Sequence, residues 1–78
     1  MMLNELPTGK SGIITGVGGE GALRLRLLDM GIIPKTKVAV RKIAPFGDPM
    51  EIRLRGYELT IRMDDAKMIS ITECRDSI

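Results

Sequence analysis

Residues 16–21 of this chain read Gly-Val-Gly-Gly-Glu-Gly, a literal G-x-G-x-x-G spacing of the kind that binds dinucleotides. In such sites the glycines let the backbone approach a pyrophosphate at the N-terminus of a helix, within a sheet of several parallel strands. The motif follows a strand-like segment and precedes a helical one, as required. The rest of the chain continues into hairpin-like segments, however, and leaves no room for further crossover helices. We therefore interpret residues 16–21 as a flexible loop that enters a helix.

Three other groups of residues match a phosphate-binding, a metal-binding or a catalytic site in part, and each has a simpler structural interpretation. Residues 9–11, Gly-Lys-Ser, match the end of a P-loop, but Asn4 stands where its first glycine belongs and a strand is predicted to follow. Asp64 and Asp65 are adjacent on a predicted turn, so their carboxylates point apart, and Asp64 is expected to cap a short helix. Cys74 is predicted to be exposed, and a lone thiol without a histidine is more often incidental than catalytic.

The composition excludes several classes of function. The 78 residues include no histidine and one cysteine, so a Cys/His zinc site, a histidine-based catalytic triad and an intrachain disulfide cannot form. We expect no catalytic residues, no metal ligands and no cofactor. No stretch approaches the roughly 18 to 20 apolar residues that span a bilayer, and the start does not resemble a signal peptide. A cytoplasmic protein without direct membrane insertion is predicted.

The mildly basic balance, a net charge of +2, permits contact with nucleic acid without requiring it. Seven basic residues are candidates: Arg24, Arg26, Arg41, Lys42, Arg53, Arg55 and Arg62. Single-strand binders usually carry several aromatic residues on one sheet face, whereas this chain has only Phe46 and Tyr57. Specific nucleic-acid binding is therefore not expected, and a basic barrel that binds nucleic acid is kept as an alternative function.

One run of strong helix formers, residues 22–30, is predicted to form a helix that ends at Gly31. Three of its apolar residues share one face at helical spacing: Leu23, Leu27 and Met30. Leu25 and Leu28 lie on nearly the opposite face, with Arg24 beside them. One apolar face meets the core, and the other is a candidate contact surface.

Five short strands are predicted, at residues 11–17, 37–43, 50–55, 58–63 and 68–72. We expect a bulge near Arg41 and Lys42, and a hairpin loop formed by Gly56 and Tyr57. Leu3 and Leu6 in the lead-in segment are expected to cover the core, and residues 73–78 to fray. The predicted fold is mostly β, one domain over residues 1–78: a small SH3-like or OB-like five-stranded barrel with one helical insertion between the first and second strands.

Residues 26–34 (RLLDMGIIP) and 44–50 (APFGDPM), together with Gly56 and Ala66, resemble the ferrous iron transport protein A family, FeoA. The resemblance implies an SH3-like barrel and a cytoplasmic, non-enzymatic accessory protein that acts with a membrane ferrous iron transporter carrying its own GTP-binding domain. Similar domains form the C-terminal part of metal-dependent repressors, so a metal-dependent regulatory domain is a further alternative. The family's label of transition-metal binding finds no ligands here. Lys35 departs from the family's usual glycine, which favours a type I turn.

Six residues are predicted to contact a protein partner: Arg24, Leu25, Leu28, Pro45, Phe46 and Asp48. Two are large apolar residues on the outer face of the helix, and Phe46 is held between prolines at a turn, where it loses little entropy on binding. The alternative is that Leu3 and Leu6 cover this helix face and that Phe46 folds back onto the barrel. The predicted partner is the cytoplasmic part of the iron transporter. Self-association, and whether the protein activates, assembles or inhibits transport, stay open.

Overall fold

The computed structural model describes residues 1–74. In chain order it contains a 3-10 helix (Leu3–Glu5), β1 (Ser11–Val17), α1 (Gly21–Asp29), β2 (Lys37–Ile43), β3 (Met50–Leu54), β4 (Tyr57–Ile61), α2 (Met63–Ala66) and β5 (Ile69–Glu73). The five strands form one antiparallel sheet in the order β4-β3-β2-β1-β5. The predicted set of five strands is thus present, and α1 lies between β1 and β2 in the chain.

The sheet is open rather than closed into the predicted barrel. Its two edges are β4 and β5, and within residues 1–74 no strand pairing joins them. The reason lies in the first residues of the chain, which already occupy the outer edge of β5. Ile71 donates its backbone N–H to the carbonyl of Met1 at 2.8 Å, and Met2 forms a bridge with Ser70. These contacts cover the middle of the β5 edge, the part that a closing strand would pair with.

Two register shifts bend the sheet. One falls between Ile14 and Gly16, where β1 pairs with β5, and the other falls between Val40 and Lys42, where β2 pairs with β3. The second places Arg41 in a bulge, as the sequence predicted, and explains why Ile43 follows a different phase from the preceding valines.

The core is filled by apolar side chains from every strand and from the lead-in segment. Its buried members are Leu3, Leu6, Ile14, Leu27, Ile32, Val38, Val40, Met50, Ile52, Leu54, Ile61, Ala66, Ile69 and Ile71. The predicted core role of Leu3 and Leu6 is confirmed. The short helix that carries Leu3 packs against α2 and β5. It does not cover the outer face of α1, because Leu25 remains 61% exposed.

Two turns differ from the sequence prediction. The β3–β4 loop consists of Arg55 and Gly56, with φ of 53° and 83°, and Leu54 pairs with Tyr57. Two consecutive residues with positive φ define a type I′ hairpin turn, which suits the right-handed twist of the strands and is one residue earlier than the predicted loop at Gly56 and Tyr57.

The turn at Pro34 is of type II, not type I. The N–H of Thr36 donates to the carbonyl of Ile33, and Lys35 has a φ of 74°. Because proline fixes a negative φ, the positive φ at the next position specifies type II. Lys35 therefore takes the strained conformation that a glycine adopts without cost.

Several details of the last third of the chain differ from the prediction: element bounds, a helix cap and the exposure of Cys74. Met63 begins α2 instead of ending the fourth strand, and the N-cap position is Arg62, which makes no side-chain cap bond, so the predicted cap at Asp64 is wrong. Glu73 belongs to β5 rather than to a frayed end. Cys74 is half-buried, not exposed, and its N–H donates to the carbonyl of Ser11 at 2.8 Å. The rest of the predicted frayed end, residues 75–78, lies outside the described residues.

Candidate protein-binding surface

The outer face of α1 presents one well-exposed apolar side chain. Leu27 is fully buried, and Leu23 and Met30 pack against the core, which confirms the predicted inner face. On the opposite face Leu25 is 61% exposed, but Leu28 is half-buried. Of the two leucines predicted to contact a partner, Leu25 therefore offers the larger accessible surface.

Arginines hold α1 in place at both of its ends. Near the start, the Arg24 Nε donates to the Val17 carbonyl at 3.2 Å, which ties the helix to the end of β1. Further along, the Arg26 Nη2 lies 3.0 Å from the Asp65 Oδ2 of α2. Arg24 is exposed, so its charge stays accessible beside Leu25.

The turn between β2 and β3, residues 44–49, is held by three hydrogen bonds. The Ala44 N–H donates to the Pro49 carbonyl at 3.0 Å, and the Gly47 N–H donates to the Ala44 carbonyl at 2.7 Å. The third bond joins the turn to α2, where the Met63 N–H donates to the Asp48 Oδ1 at 3.1 Å. Asp48, which was predicted to contact a partner protein, therefore makes its hydrogen bond within the chain, to Met63.

Phe46 at the tip of this turn is 98% exposed. The alternative in which it folds back to cap the sheet is wrong. A fully exposed phenyl ring is unusual because it leaves a large apolar surface in water. Pro45 beside it is exposed as well, so the tip of the turn is a second apolar protrusion in addition to Leu25.

Two grooves connect the turn with α1. The first, of about 310 Å³, lies beside the turn and is lined by Lys42, Ile43, Ala44, Pro45, Pro49, Met50, Glu51 and Thr60. The second, of about 530 Å³, lies between α1, β4 and α2 and is lined by Arg26, Met30, Thr60, Ile61, Arg62, Asp64 and Asp65. Thr60 lines both grooves, so the two lie side by side on the sheet. We call the outer face of α1, the two grooves and the turn at residues 44–49 the α1–turn surface.

Sequence reasoning did not identify the residues in the middle of this surface. Tyr57 donates its hydroxyl hydrogen to the carbonyl of Met30, the C-cap residue of α1, and so joins the start of β4 to the end of the helix. Thr60 lies on the outer face of β4, opposite Glu51 of β3. The clean alternation of β4 indicated that Thr60 points outward, but nothing in the sequence showed that α1 lies beside this strand.

The glycine-rich residues 16–21 lie at the entry to α1, as interpreted. Gly19 has a φ of 82°, and the Gly18 N–H donates to the Met68 carbonyl at 2.6 Å. The strands around this loop are antiparallel, which differs from the parallel sheet of dinucleotide-binding folds. Residues 9–11 lead into strand β1, and a P-loop would lead into a helix there.

Basic side chains are spread over several elements, and some contact groups within the chain. Arg41 forms an ion pair with Glu58 at 3.4 Å, and the Arg55 Nη2 lies 3.4 Å from the Thr36 Oγ1. Within residues 1–74, no group of three or more His, Cys, Asp or Glu side chains is placed to hold a metal ion. In the same part of the chain, no helix is long and apolar enough to cross a membrane.

These elements define the class of protein: a small SH3-like domain built on an open five-stranded antiparallel sheet. The crystal structure of Stenotrophomonas maltophilia FeoA complexed with zinc, described as a procaryotic SH3 domain protein, matches it in fold. The TM-score is 0.81 at 24% identity, over 92% of this chain and 89% of that one.

The family model of the FeoA domain matches residues 1–73, and the chain belongs to this family. The NMR structure of a FeoA-like protein from Clostridium acetobutylicum has a TM-score of 0.90 and 34% identity, over 97% of this chain and 88% of that one. A fusion protein of Fe(2+) transport protein A and the Fe(2+) transporter FeoB from Porphyromonas gingivalis is 37% identical over 71 residues. That match covers 91% of this chain but only 8% of the length of the fusion protein.

Proposed function

We propose that this chain is a cytoplasmic, non-enzymatic accessory protein of a ferrous iron uptake system. It docks on the cytoplasmic GTP-binding part of the membrane iron transporter through protein–protein contacts. The observation that carries the proposal is the Porphyromonas gingivalis fusion, in which a domain 37% identical to this chain and the transporter FeoB are parts of one polypeptide. Covalent linkage keeps two domains at a high effective concentration, which favours a pair of domains that work in contact.

The α1–turn surface has the chemistry of a docking site. It offers two exposed apolar anchors, Leu25 and Phe46, separated by grooves with mixed polar and apolar lining. Protein interfaces commonly combine a few large apolar or aromatic anchors with a polar surround that excludes water. Arg24 is accessible at the edge of the surface and suits an acidic group on the partner.

The turn is well prepared for such a role because its backbone is already ordered. Three hydrogen bonds fix residues 44–49 before any partner is present, one of them from Met63 in α2. A side chain presented from a fixed backbone loses less entropy on binding than one on a flexible loop. In this arrangement Phe46 and Pro45 contact the partner, while Asp48 positions the turn.

Direct titration of this chain with the separately expressed cytoplasmic domain of its transporter tests the proposal. We expect a saturable complex that is weakened at least ~10-fold in Kd by Leu25→Glu and by Phe46→Ala, as expected for interface anchors. The control is Thr72→Glu, which introduces the same negative charge as Leu25→Glu at an exposed position of β5. Because β5 lies at the opposite edge of the sheet from β4, this variant should leave the Kd unchanged.

Absence of binding by the unchanged protein contradicts the proposed function. If binding occurs and neither Leu25→Glu nor Phe46→Ala weakens it, the function stands and the assignment of the α1–turn surface fails. Thermal unfolding of each variant distinguishes a lost contact from a lost fold.

A further inference from the structure

Phe46 stands directly beside a groove that its own ring does not enter. The neighbouring residues Pro45 and Pro49 line the 310 Å³ groove, yet Phe46 is not among the lining residues and is 98% exposed. The groove is large enough for a phenyl ring, since a cavity of about 150 Å³ in another protein holds benzene. Five of its eight lining residues are apolar: Ile43, Ala44, Pro45, Pro49 and Met50.

An apolar protrusion next to an apolar groove is self-complementary under two-fold symmetry. In a two-fold dimer the same patch of both copies meets, so a contact made by one copy is made again by the other. When protrusion and groove lie side by side near the axis, each ring enters the groove of the other copy. Both exposed rings are then buried by one interface.

The charges at the groove have the same self-complementary arrangement. Lys42 and Glu51 are cross-strand partners on β2 and β3, and Glu51 is in turn the partner of Thr60 on β4. All three residues line the groove. Within residues 1–74 neither Lys42 nor Glu51 forms an ion pair. Because a positive and a negative side chain lie side by side at the groove, a second copy related by a two-fold axis can place Lys42 of each copy against Glu51 of the other.

We propose that the chain forms a two-fold dimer through this groove. The Phe46 ring of each copy occupies the 310 Å³ groove of the other, and Lys42 of each copy pairs with Glu51 of the other. The inference does not rest on the proposed function, because it concerns the chain alone; since both use Phe46, a dimer and a transporter complex exclude each other at this turn. The interface is confined to one turn and one row of the sheet, so the dimer is weak and its population depends on concentration.

Sedimentation equilibrium of the 78-residue chain, from micromolar to millimolar concentration with a reductant to keep Cys74 as a thiol, measures the dimer directly. We expect a reversible monomer–dimer equilibrium whose Kd rises at least ~10-fold with Phe46→Ala. Leu25→Ala is the matched control: it also shortens an exposed apolar residue, but one on α1 outside the groove, and it should leave the Kd unchanged.

A charge exchange tests the ion pairs separately. Lys42→Glu places like charges across the two-fold axis and should weaken the dimer at least ~10-fold. Adding Glu51→Lys to the same chain restores opposite charges, both within each copy and between copies, and should return the Kd to within about threefold of the original. A monomer at every concentration, a dimer insensitive to Phe46→Ala, or a double variant that fails to recover overturns the proposal.

Discussion

Asp48 in the β2–β3 turn holds the first residue of α2, because its Oδ1 accepts a hydrogen bond from the Met63 N–H at 3.1 Å. The N–H groups of a first helical turn have no partner within the helix, and the N-cap residue usually supplies one. Here the N-cap residue, Arg62, makes no side-chain cap bond. A carboxylate 15 residues earlier in the chain does so instead, and it fixes the Phe46 turn to α2 by the same bond.

We therefore expect Asp48→Ala to lower the free energy of unfolding by about 1 kcal/mol, the usual cost of losing a helix cap. Asp48→Asn should retain most of the stability, because the amide oxygen still accepts the Met63 N–H. Urea denaturation of the two variants measures the difference. Equal stability of Asp48→Ala and the original protein would contradict a capping role and return Asp48 to the predicted set of partner contacts.

The end of α1 is fixed by a contact between Gly31 and Tyr57. Gly31 has a φ of 94°, and a Cβ added to it would collide with the Tyr57 hydroxyl, which donates to the carbonyl of Met30. We expect Gly31→Ala to destabilise the fold by about 2 kcal/mol or more, from backbone strain and from the collision. Gly56→Ala is the matched control, because Gly56 also has a positive φ but open space around its Cβ position.

The difference between these two variants gives the energy of the collision. Tyr57→Phe removes the hydroxyl, so it should relieve part of the Gly31→Ala cost when the two changes are combined. A double-mutant cycle of urea midpoints measures this coupling. Strictly additive effects would show that Tyr57 does not restrict Gly31.

The sequence predicted those elements whose signal is local. The alternation of Met50, Ile52 and Leu54 and the β-branched run of β1 predicted strands that the structure confirms. The helix end at Gly31 carries its own signal as well, since a glycine in a left-handed conformation commonly follows a helix. Hydrophobic period and stop residues are properties of neighbouring positions, and a single sequence displays them.

Features that depend on distant parts of the chain were not predictable. The edge of β5 that would close a barrel is covered by Met1 and Met2, which lie about 70 residues away in the chain. The cap supplied by Asp48 to α2 and the placement of Tyr57 against Met30 likewise join segments with no shared sequence pattern. The candidate surface was therefore predicted as two separate patches, and only the structure showed that Thr60 lines a groove beside each of them.

At Lys35 a tertiary contact overrides the turn type that the local sequence predicts. Without a glycine the turn after Pro34 was predicted to be type I, but the Lys35 N–H donates to the Ile14 carbonyl, and this bond fixes the type II geometry. A non-glycine residue in the left-handed region costs about 1 to 2 kcal/mol of backbone strain. A glycine at this position avoids the strain but loses more conformational entropy on folding, which offsets part of the gain in stability.

Lys35→Gly should consequently raise the free energy of unfolding by about 0.5 to 1 kcal/mol. Lys35→Ala is the control: it removes the charge and the long side chain but keeps the Cβ that causes the strain, so it should gain little. Both values come from urea denaturation under identical conditions. A gain from alanine as large as that from glycine would assign the effect to the lysine side chain rather than to the backbone.

The three leucines at positions 25, 27 and 28 provide the last prediction, because they differ in burial within one helix. Leu27 is fully buried in the core, Leu28 is half-buried, and Leu25 is 61% exposed. Leu27→Ala leaves a cavity and should cost about 2 to 5 kcal/mol. Leu25→Ala should change stability by less than about 0.5 kcal/mol, as surface substitutions do. Leu28→Ala should fall between the two. Urea denaturation of the three variants gives this order.

If Leu25→Ala destabilises the fold as much as Leu28→Ala, Leu25 is part of the packed structure, and a loss of transporter binding in Leu25→Glu could no longer be attributed to a lost contact. The predicted order instead leaves Leu25 free to act as an anchor whose substitution changes binding alone.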